Sequence, residues 1–355
     1  MTLPIRVLGT GGTISCTHDA AGALVPTLDT AALVRQADCD RGDIIAEDVM
    51  SLDSSSITLA QIDELLDHIE AAQRTSRAVV VLHGTDTMEE TLMAAHLLLP
   101  PAVSSVSSVP AGSSVPPVPI VFTGAQRPAD DPHPDGPANI SGAINLATEL
   151  ATKLATELTT ARAASGTSGV FLHFGGRTLA AAGTYKFHTT DDDAFRSSSP
   201  HPAGVALGGA PLRTQGPRPR LQGRTVPIIT TYAGDDGRQL TALSARLEAE
   251  PIDGLVIAAL GSGNLPLPVA DALRELQATH PSLPVVLSTR VPEGSVHAVY
   301  GGAGGGASLV EGSDGALSLA GFLSPAQARI QLLANAAAAD TTESAESAES
   351  AGASR

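Results

Sequence analysis

Short apolar runs alternate with longer amphipathic stretches over the N-terminal half of the chain. Continuous apolar runs such as Ala78–Leu82 are typical of strands that are buried on both faces of a parallel sheet. Five short segments rich in apolar residues predict strands near residues 4–8, 43–49, 77–82, 118–123 and 168–174. Helical periodicity between them predicts helices near residues 29–37, 58–72, 87–99 and 137–158. The alternation indicates an α/β domain with a mainly parallel sheet flanked by helices.

A second, smaller pattern of the same kind follows. Strands are predicted near residues 226–232, 254–260 and 283–288, and a last helix begins at Pro325, after a capping box of Ser324 and Gln327. With 355 residues the chain is longer than a single core usually supports, so two domains are expected. We therefore predict an α/β protein with a larger N-terminal and a smaller C-terminal α/β domain.

Composition places the domain boundaries. The predicted N-terminal domain covers residues 1–200, a Pro- and Gly-rich linker covers 201–225, and the C-terminal domain covers 226–337. Within the first domain, residues 100–119 are almost entirely Pro, Ser, Val, Ala and Gly, which predicts a surface insertion. The acidic, low-complexity tail over residues 338–355 is expected to be disordered.

Charge and cysteine content narrow the class of protein. A net charge of −16 argues against nucleic-acid binding, which needs clustered Lys and Arg. Two cysteines give no disulfide framework, and no Cys and His residues have metal-ligand spacing. No apolar run is long enough to span a bilayer, and the first strand begins too early to leave room for a signal peptide. We expect a cytoplasmic protein without a metal or cofactor.

Two threonine-containing loops follow predicted strands. Residues 10–13 read Thr-Gly-Gly-Thr and residues 83–87 read His-Gly-Thr-Asp-Thr. Because parallel strands end at the same edge of their sheet, both loops are expected to open there and to present two hydroxyl groups to one pocket.

The first loop also has a nucleotide-binding interpretation. Residues 9–12 partly match a dinucleotide fingerprint, but that fingerprint leads directly into a helix. Here small and polar residues with two breakers, Gly22 and Pro26, follow over 15–27, which predicts a loop. The glycines are better explained if a substrate approaches the backbone beside Thr13.

The second loop precedes a helix. Thr87 and Glu90 have the spacing of a capping box, so the positive end of a helix should face Thr85 and Asp86. The alternative is that Asp86 and Thr87 only cap this helix, which would leave the rest of the motif unexplained.

Lysine usage singles out Lys186. Of the 21 Lys and Arg residues, only Lys153 and Lys186 are lysine. A lysine amine can lose its proton in a partly buried site, whereas an arginine guanidinium cannot. Lys153 follows Glu149 by four residues in a helical stretch and is expected to be a solvated ion-pair partner. Lys186 follows a strand pattern, and its alternative interpretation is a surface lysine on a hairpin.

These motifs resemble those of the bacterial-type L-asparaginases. The resemblance covers nearly the whole chain and is carried by the following segments: Thr10–Ile14, Asp53–Ser55, His83–Thr91, Thr123–Pro128, Asp135–Asn139, Lys186, Gly261–Asn264 and Arg290–Pro292. It implies hydrolysis of L-asparagine to L-aspartate and ammonia by a homo-oligomer, a dimer or tetramer, with sites completed across subunits.

The resemblance also implies roles for individual residues. By this resemblance, Thr13 matches the family's nucleophile, which forms an acyl-enzyme. The family's hydrogen-bonded triad, which transfers protons, is matched by Thr85, Asp86 and Lys186. The residues that match substrate contacts are Ser54, Ser55, Ala125 and Asn264.

One residue of the family pattern is missing. Many members carry a tyrosine in the loop after the first threonine, where this chain has Leu24 or Ala23, neither of which can exchange a proton. The acid that orients that tyrosine from a neighbouring subunit in some members aligns near Gly301. Tyr300 directly precedes Gly301 in the sequence. Either Tyr300 of an adjacent subunit replaces the missing loop tyrosine, or Tyr300 only packs at an interface.

Other functions remain open from the sequence. A broader glutaminase-asparaginase, the amidotransferase subunit that supplies ammonia to mischarged tRNA, and an amino-acid-binding protein with weakened catalysis all fit the family pattern. Cys16, three residues after Thr13, is a further candidate nucleophile, although only His18 lies near it as a base.

Overall fold

The computed structural model describes residues 3–99, 118–159, 169–200, 217–313 and 315–353. It divides into two compact units, the first comprising Met1–Ser197 and the second built mainly from Thr214–Arg355. Most of the expected insertion at 100–119 and of the expected linker at 201–225 lies outside the described residues.

The first unit contains ten strands among its described residues. In chain order they are β1 (Ile5–Gly9), β2 (Cys16–His18), β3 (Leu24–Pro26), β4 (Ile44–Asp48), β5 (Ala78–Leu82), β6 (Ile120–Thr123), β7 (Val170–Phe174), β8 (Arg177–Ala180), β9 (Thr184–Lys186) and β10 (Phe195–Ser197). Six of them form a sheet in the order β4-β1-β5-β6-β7-β8, in which only the edge strand β8 is antiparallel.

The described residues of the same unit also form four α-helices: α1 (Thr30–Gln36), α2 (Leu59–Gln73), α3 (Met88–Leu98) and α4 (Gly136–Thr159). All five residues of β5 are buried, as its continuous apolar run predicts. One core cluster joins β1 and β5 to the apolar sides of α1 and α4. The predicted sheet with flanking helices is therefore confirmed.

The capping box that the sequence predicts is present at α2 but not at α3. Thr58 and Gln61 form the reciprocal capping box that their spacing predicts. The box predicted for Thr87 and Glu90 is wrong, because Thr87 makes no side-chain cap. Its hydroxyl donates instead to the Ser54 carbonyl at 2.9 Å.

The segment over residues 15–27, predicted as a loop, contains a short hairpin. β2 and β3 pair antiparallel, with Thr17 opposite Val25. Strands of three residues are too short to give a period-two signal, which explains why the sequence does not reveal them.

The second unit contains a four-stranded parallel sheet. Its strands are β11 (Ile228–Thr230), β12 (Leu255–Ala259), β13 (Val285–Thr289) and β14 (Leu317–Leu319), and they lie side by side in chain order. Its helices are α5 (Arg238–Ser244), α6 (Leu267–Thr279), α7 (Gly306–Glu311) and α8 (Pro325–Ala353). The Gln327 N–H donates to Ser324 Oγ at 3.2 Å, in agreement with the predicted cap of α8.

Residues 338–353, where we expect disorder, continue α8 in the structure. These residues extend the helix because Ala and Glu are good helix formers and because a helix that has already formed has overcome its nucleation cost.

Candidate active site

The three loops that carry the motifs leave adjacent strands side by side. Gly9 of β1 is in register with Leu82 of β5, and Leu82 with Thr123 of β6. The next residues continue this pairing, because the Thr10 N–H donates to the Leu82 carbonyl at 3.0 Å and the His83 N–H to the Thr123 carbonyl at 2.8 Å. The sheet itself therefore brings the loops together.

Glycine allows the first two loops to touch. A Cβ on Gly12 would lie 2.8 Å from Gly84 Cα, and Gly12 has a φ of 83° that favours glycine. Thr13 and Thr85 each follow one of these two contacting glycines. The predicted approach of the two threonines has its basis in this backbone contact.

Lys186 joins the second loop. Its Nζ donates to Thr85 Oγ1 and to Asp86 Oδ1, both at 2.8 Å. The lysine side chain is 19% exposed, whereas the Asp86 side chain is 55% exposed. The ammonium group therefore lies between a buried hydroxyl and a carboxylate that is open to solvent.

Thr13 is half-buried and begins a short 3-10 turn, Thr13–Ser15. The Gly12 carbonyl accepts the Ser15 hydroxyl at 2.9 Å and lies 3.4 Å from Cys16 Sγ. Burial raises the pKa of the Cys16 thiol, which lowers its thiolate fraction. This burial makes Cys16 less reactive than an exposed thiol would be. A hairpin, not a helix, follows the turn, which also argues against nucleotide binding.

Ser54 and Ser55 lie in a second 3-10 turn, Ser54–Ser56, capped by Asp53. Ser54 is buried, and its Oγ accepts the Asp86 N–H at 3.2 Å. Ser55 is exposed. Ser54 thus fixes the backbone of the Asp86 loop, and Ser55 has the more accessible hydroxyl.

The third loop is held by two side chains. Asp135 accepts the N–H groups of Gln126 and Arg127, both at 2.9 Å, and Asn139 donates to the Gly124 carbonyl at 2.9 Å. Ala125 lies between these anchors and is buried. Gln126 Oε1 lies 3.5 Å from Thr85 Oγ1, which brings a side-chain amide next to the triad.

Sequence reasoning missed Glu89 and His83 as parts of this arrangement. Glu89 Oε2 accepts the Lys186 N–H at 2.9 Å across 97 positions of sequence, a contact that no local pattern could indicate. His83 is fully buried, and burial lowers its pKa to about 4. Its Nδ1 bonds to the Gly84 carbonyl at 2.6 Å, so a neutral imidazole holds the turn before Thr85.

Asn264 and Tyr300 belong to the second unit. Asn264 closes a turn with Leu260 through reciprocal backbone hydrogen bonds of 2.9 Å. Tyr300 is 56% exposed. The parts predicted for Asn264 in substrate binding and for Tyr300 in proton transfer stay predictions.

The described residues offer neither a cluster of metal ligands nor a membrane-spanning helix. They contain no group of three His, Cys, Asp or Glu side chains that could hold a metal ion. Among the helices in the part of the chain that is described, none is both long and apolar enough to cross a membrane.

Comparisons with known proteins agree over both units. A family model for the N-terminal domain of asparaginase matches residues 4–215, and one for the glutaminase/asparaginase C-terminal domain matches residues 225–348. The chain is 36% identical over 293 residues to a probable L-asparaginase of Deinococcus radiodurans, covering 80% of this chain and 78% of that protein.

Two further relatives differ in what their names describe. The probable cytoplasmic L-asparaginase of Campylobacter jejuni has a similar structure, with a TM-score of 0.66 at 26% identity, covering 94% of this chain and 95% of that one. One subunit of the glutamyl-tRNA(Gln) amidotransferase of Pyrobaculum aerophilum is 33% identical over 205 residues, 56% of this chain but only 43% of that protein. With both domain models matched along one chain, this protein belongs to the asparaginase family.

Proposed function

We propose that this protein hydrolyses the side-chain amide of L-asparagine to L-aspartate and ammonia through an acyl-enzyme on Thr13. The observation that carries the proposal is the position of Lys186 Nζ, 2.8 Å from both Thr85 Oγ1 and Asp86 Oδ1, beside the loop of Thr13. The likeness to a probable L-asparaginase, over 80% of this chain, supports asparagine as the substrate.

In the first half-reaction the Thr13 hydroxyl attacks the amide carbon of asparagine. A C–O bond forms as the C–N bond breaks, and the Thr13 proton is delivered to the departing nitrogen, which leaves as ammonia. Backbone N–H groups at the Thr85 turn and the N-terminus of α3 would favour the negative charge that develops on the amide oxygen.

In the second half-reaction water attacks the resulting β-aspartyl ester. Thr85 and Lys186 relay the water proton to Thr13 Oγ as the ester bond breaks, which regenerates the enzyme and releases aspartate. Asp86 accepts from Lys186 and has enough exposure to pair with the substrate ammonium as well. Ser54, Ser55, the backbone of Ala125 and Asn264 are proposed to bind the rest of the substrate.

A broader glutaminase-asparaginase is the nearest alternative. One extra methylene in a pocket changes binding by only about 1–3 kcal/mol, so the site does not decide between the two amides. The relative named as part of an amidotransferase favours a third candidate, delivery of ammonia to a tRNA-linked reaction, although the matched region is less than half of that protein.

Assembly and location complete the proposal. We infer a homo-oligomer, a dimer or a tetramer with sites completed across subunits, because the resemblance to the bacterial-type L-asparaginases implies one. A cytoplasmic location is inferred from the likeness to a probable cytoplasmic L-asparaginase.

Ammonia release tests the proposal. The purified wild-type protein is assayed with asparagine and with glutamine, Thr13→Ala is the matched control, and calorimetry measures binding of asparagine to both. We expect ammonia from asparagine with the wild type, and a loss of about 10³-fold or more in kcat with Thr13→Ala. Binding of asparagine without ammonia release would instead identify an amino-acid-binding protein.

A further inference from the structure

The backbone of Lys186 is anchored from the helix that follows its side-chain partners. Glu89, in the first turn of α3, accepts the Lys186 N–H at 2.9 Å through Oε2. Thr85 and Asp86, which accept from Lys186 Nζ, lie just before the same helix. One continuous segment, residues 85–89, therefore holds the lysine at both ends.

This anchoring matters because the strand that carries Lys186 is short. Among the strands of the described residues, β9 pairs only with β10, three residues against three, with Lys186 opposite Phe195. A two-stranded ribbon is marginally stable by itself. Its placement relative to Thr85 therefore depends on contacts with other elements, and the Glu89 carboxylate supplies one at Lys186 itself.

We propose that Glu89 is a positioning residue for the reaction, which sets the distance of Lys186 Nζ from Thr85 by fixing the Lys186 main chain. This rests on the proposed function, in which Lys186 relays a proton. Glu89 acts through Lys186 and does not contact the substrate. A displacement of about 1 Å in a catalytic group costs on the order of 10²-fold in rate, so a single main-chain hydrogen bond is enough to matter.

Charge and hydrogen bonding at Glu89 make separable contributions. A negative charge in the first turn of α3 stabilises the helix wherever its oxygens point. Glu89→Gln removes this charge but keeps an acceptor at the same reach, whereas Glu89→Asp keeps the charge and withdraws the acceptor by one methylene. A purely structural role predicts that Asp is the milder change, and the positioning role predicts that Gln is.

The experiment measures kcat and KM for asparagine in wild type, Glu89→Gln, Glu89→Asp and Glu89→Leu, with thermal unfolding of each. Glu64→Leu, at an exposed position of α2, is the control for loss of a surface carboxylate. We expect the kcat of Glu89→Gln to stay within about threefold of the wild-type value. The kcat of Glu89→Asp and of Glu89→Leu should fall about 10- to 100-fold at nearly constant KM. If Glu89→Leu does not fold, the contrast between Gln and Asp still decides.

A double variant makes the test specific. In the Lys186→Met background, Glu89→Leu should cause no further loss of kcat, because residues that act as a unit are not additive. A further loss there, or wild-type kcat in Glu89→Asp, would overturn the positioning role while ammonia release by the wild type still supports the proposed function. No ammonia from the wild type would overturn both.

Discussion

At the scale of the residue, the account depends on Lys186 being a lysine. The chain uses arginine for nearly all its positive charges, and its retained lysine at 186 lies within 2.8 Å of a threonine hydroxyl. Composition alone could single it out. Its partners across 100 residues of sequence could be predicted only from the family resemblance, because no local pattern joins residues 85 and 186.

Lys186→Arg tests whether the proton matters. The substitution keeps the charge but adds bulk and cannot release a proton, so we expect activity nearly as low as that of Lys186→Met. Steady-state ammonia release from both variants provides the measurement, with Lys153→Arg as a matched control at an exposed lysine. Substantial turnover by Lys186→Arg would mean that positive charge alone suffices.

His83 makes a separate prediction about pH. Its Nδ1 donates to the Gly84 carbonyl, and its buried Nε2 has no hydrogen-bond partner among the described residues, so protonation would bury an unpaired charge. The unfolded chain binds a proton near pH 6.5 and the folded protein only near pH 4, so stability is lost as the pH falls through this window.

Between pH 7 and pH 5 this histidine should remove about 2 kcal/mol from the free energy of unfolding. Denaturant titrations at both pH values measure it, and His83→Asn, which retains an amide donor, should lack this part of the decrease. Parallel pH dependence in the two proteins would contradict a neutral, buried His83.

At the scale of the element, the hairpin β2–β3 is tied to the third loop. The His18 N–H donates to Asp130 Oδ2 at 2.8 Å, and the Ala129 N–H donates to the Cys16 carbonyl at 2.8 Å. The hairpin directly follows the turn of Thr13. Where other family members have a tyrosine in this segment, this chain has a polar attachment at its base.

Removing the attachment should loosen the hairpin. Asp130→Ala is expected to accelerate hydrogen exchange over residues 18–26 without lowering the melting temperature. The neighbouring Asp131→Ala should leave exchange over these residues unchanged. Hydrogen bonds from His18 lower the pKa of Asp130, first through the backbone N–H. Protection is therefore complete above the ordinary pKa of 3.8 and is lost as the pH falls through the lowered folded-state value. Equal exchange in both variants would show that the attachment does not restrain the hairpin.

The elements that sequence reasoning missed share a physical cause. Helices α5, α6 and α7 have the N-cap residues Gly237, Pro266 and Gly305, none of which caps its helix with a side chain. The usual start signal is therefore absent. Strands β1, β5, β6 and β7 of the central sheet were predictable within about two residues because almost all of their residues are buried, which gives apolar runs.

At the scale of the whole molecule, the open question is which group replaces the missing tyrosine. Tyr300 is exposed in the second unit and is followed by a glycine-rich stretch. We propose that it acts from an adjacent subunit. The sequence alone could raise this hypothesis because the lost tyrosine and its lost acidic partner depart from the family pattern together.

Tyr300→Phe removes one hydroxyl and keeps the ring, so it should lower kcat by about 10²-fold, the lower end of general acid-base contributions. Mixing Thr13→Ala chains with Tyr300→Phe chains should restore part of the activity, because some sites would then hold both wild-type residues. Full activity of Tyr300→Phe would leave Thr85, Asp86 and Lys186 as the proton-transfer groups.

The proposed covalent intermediate forms on Thr13, and its position can be mapped directly. Lys186→Met, in which the second half-reaction is slowed, is incubated with asparagine, quenched in acid and digested for peptide mass spectrometry. We expect one β-aspartyl ester, located on Thr13 and absent from a Thr13→Ala/Lys186→Met double variant. An aspartyl group on Thr85 or Cys16 would contradict the assignment of Thr13 as the nucleophile.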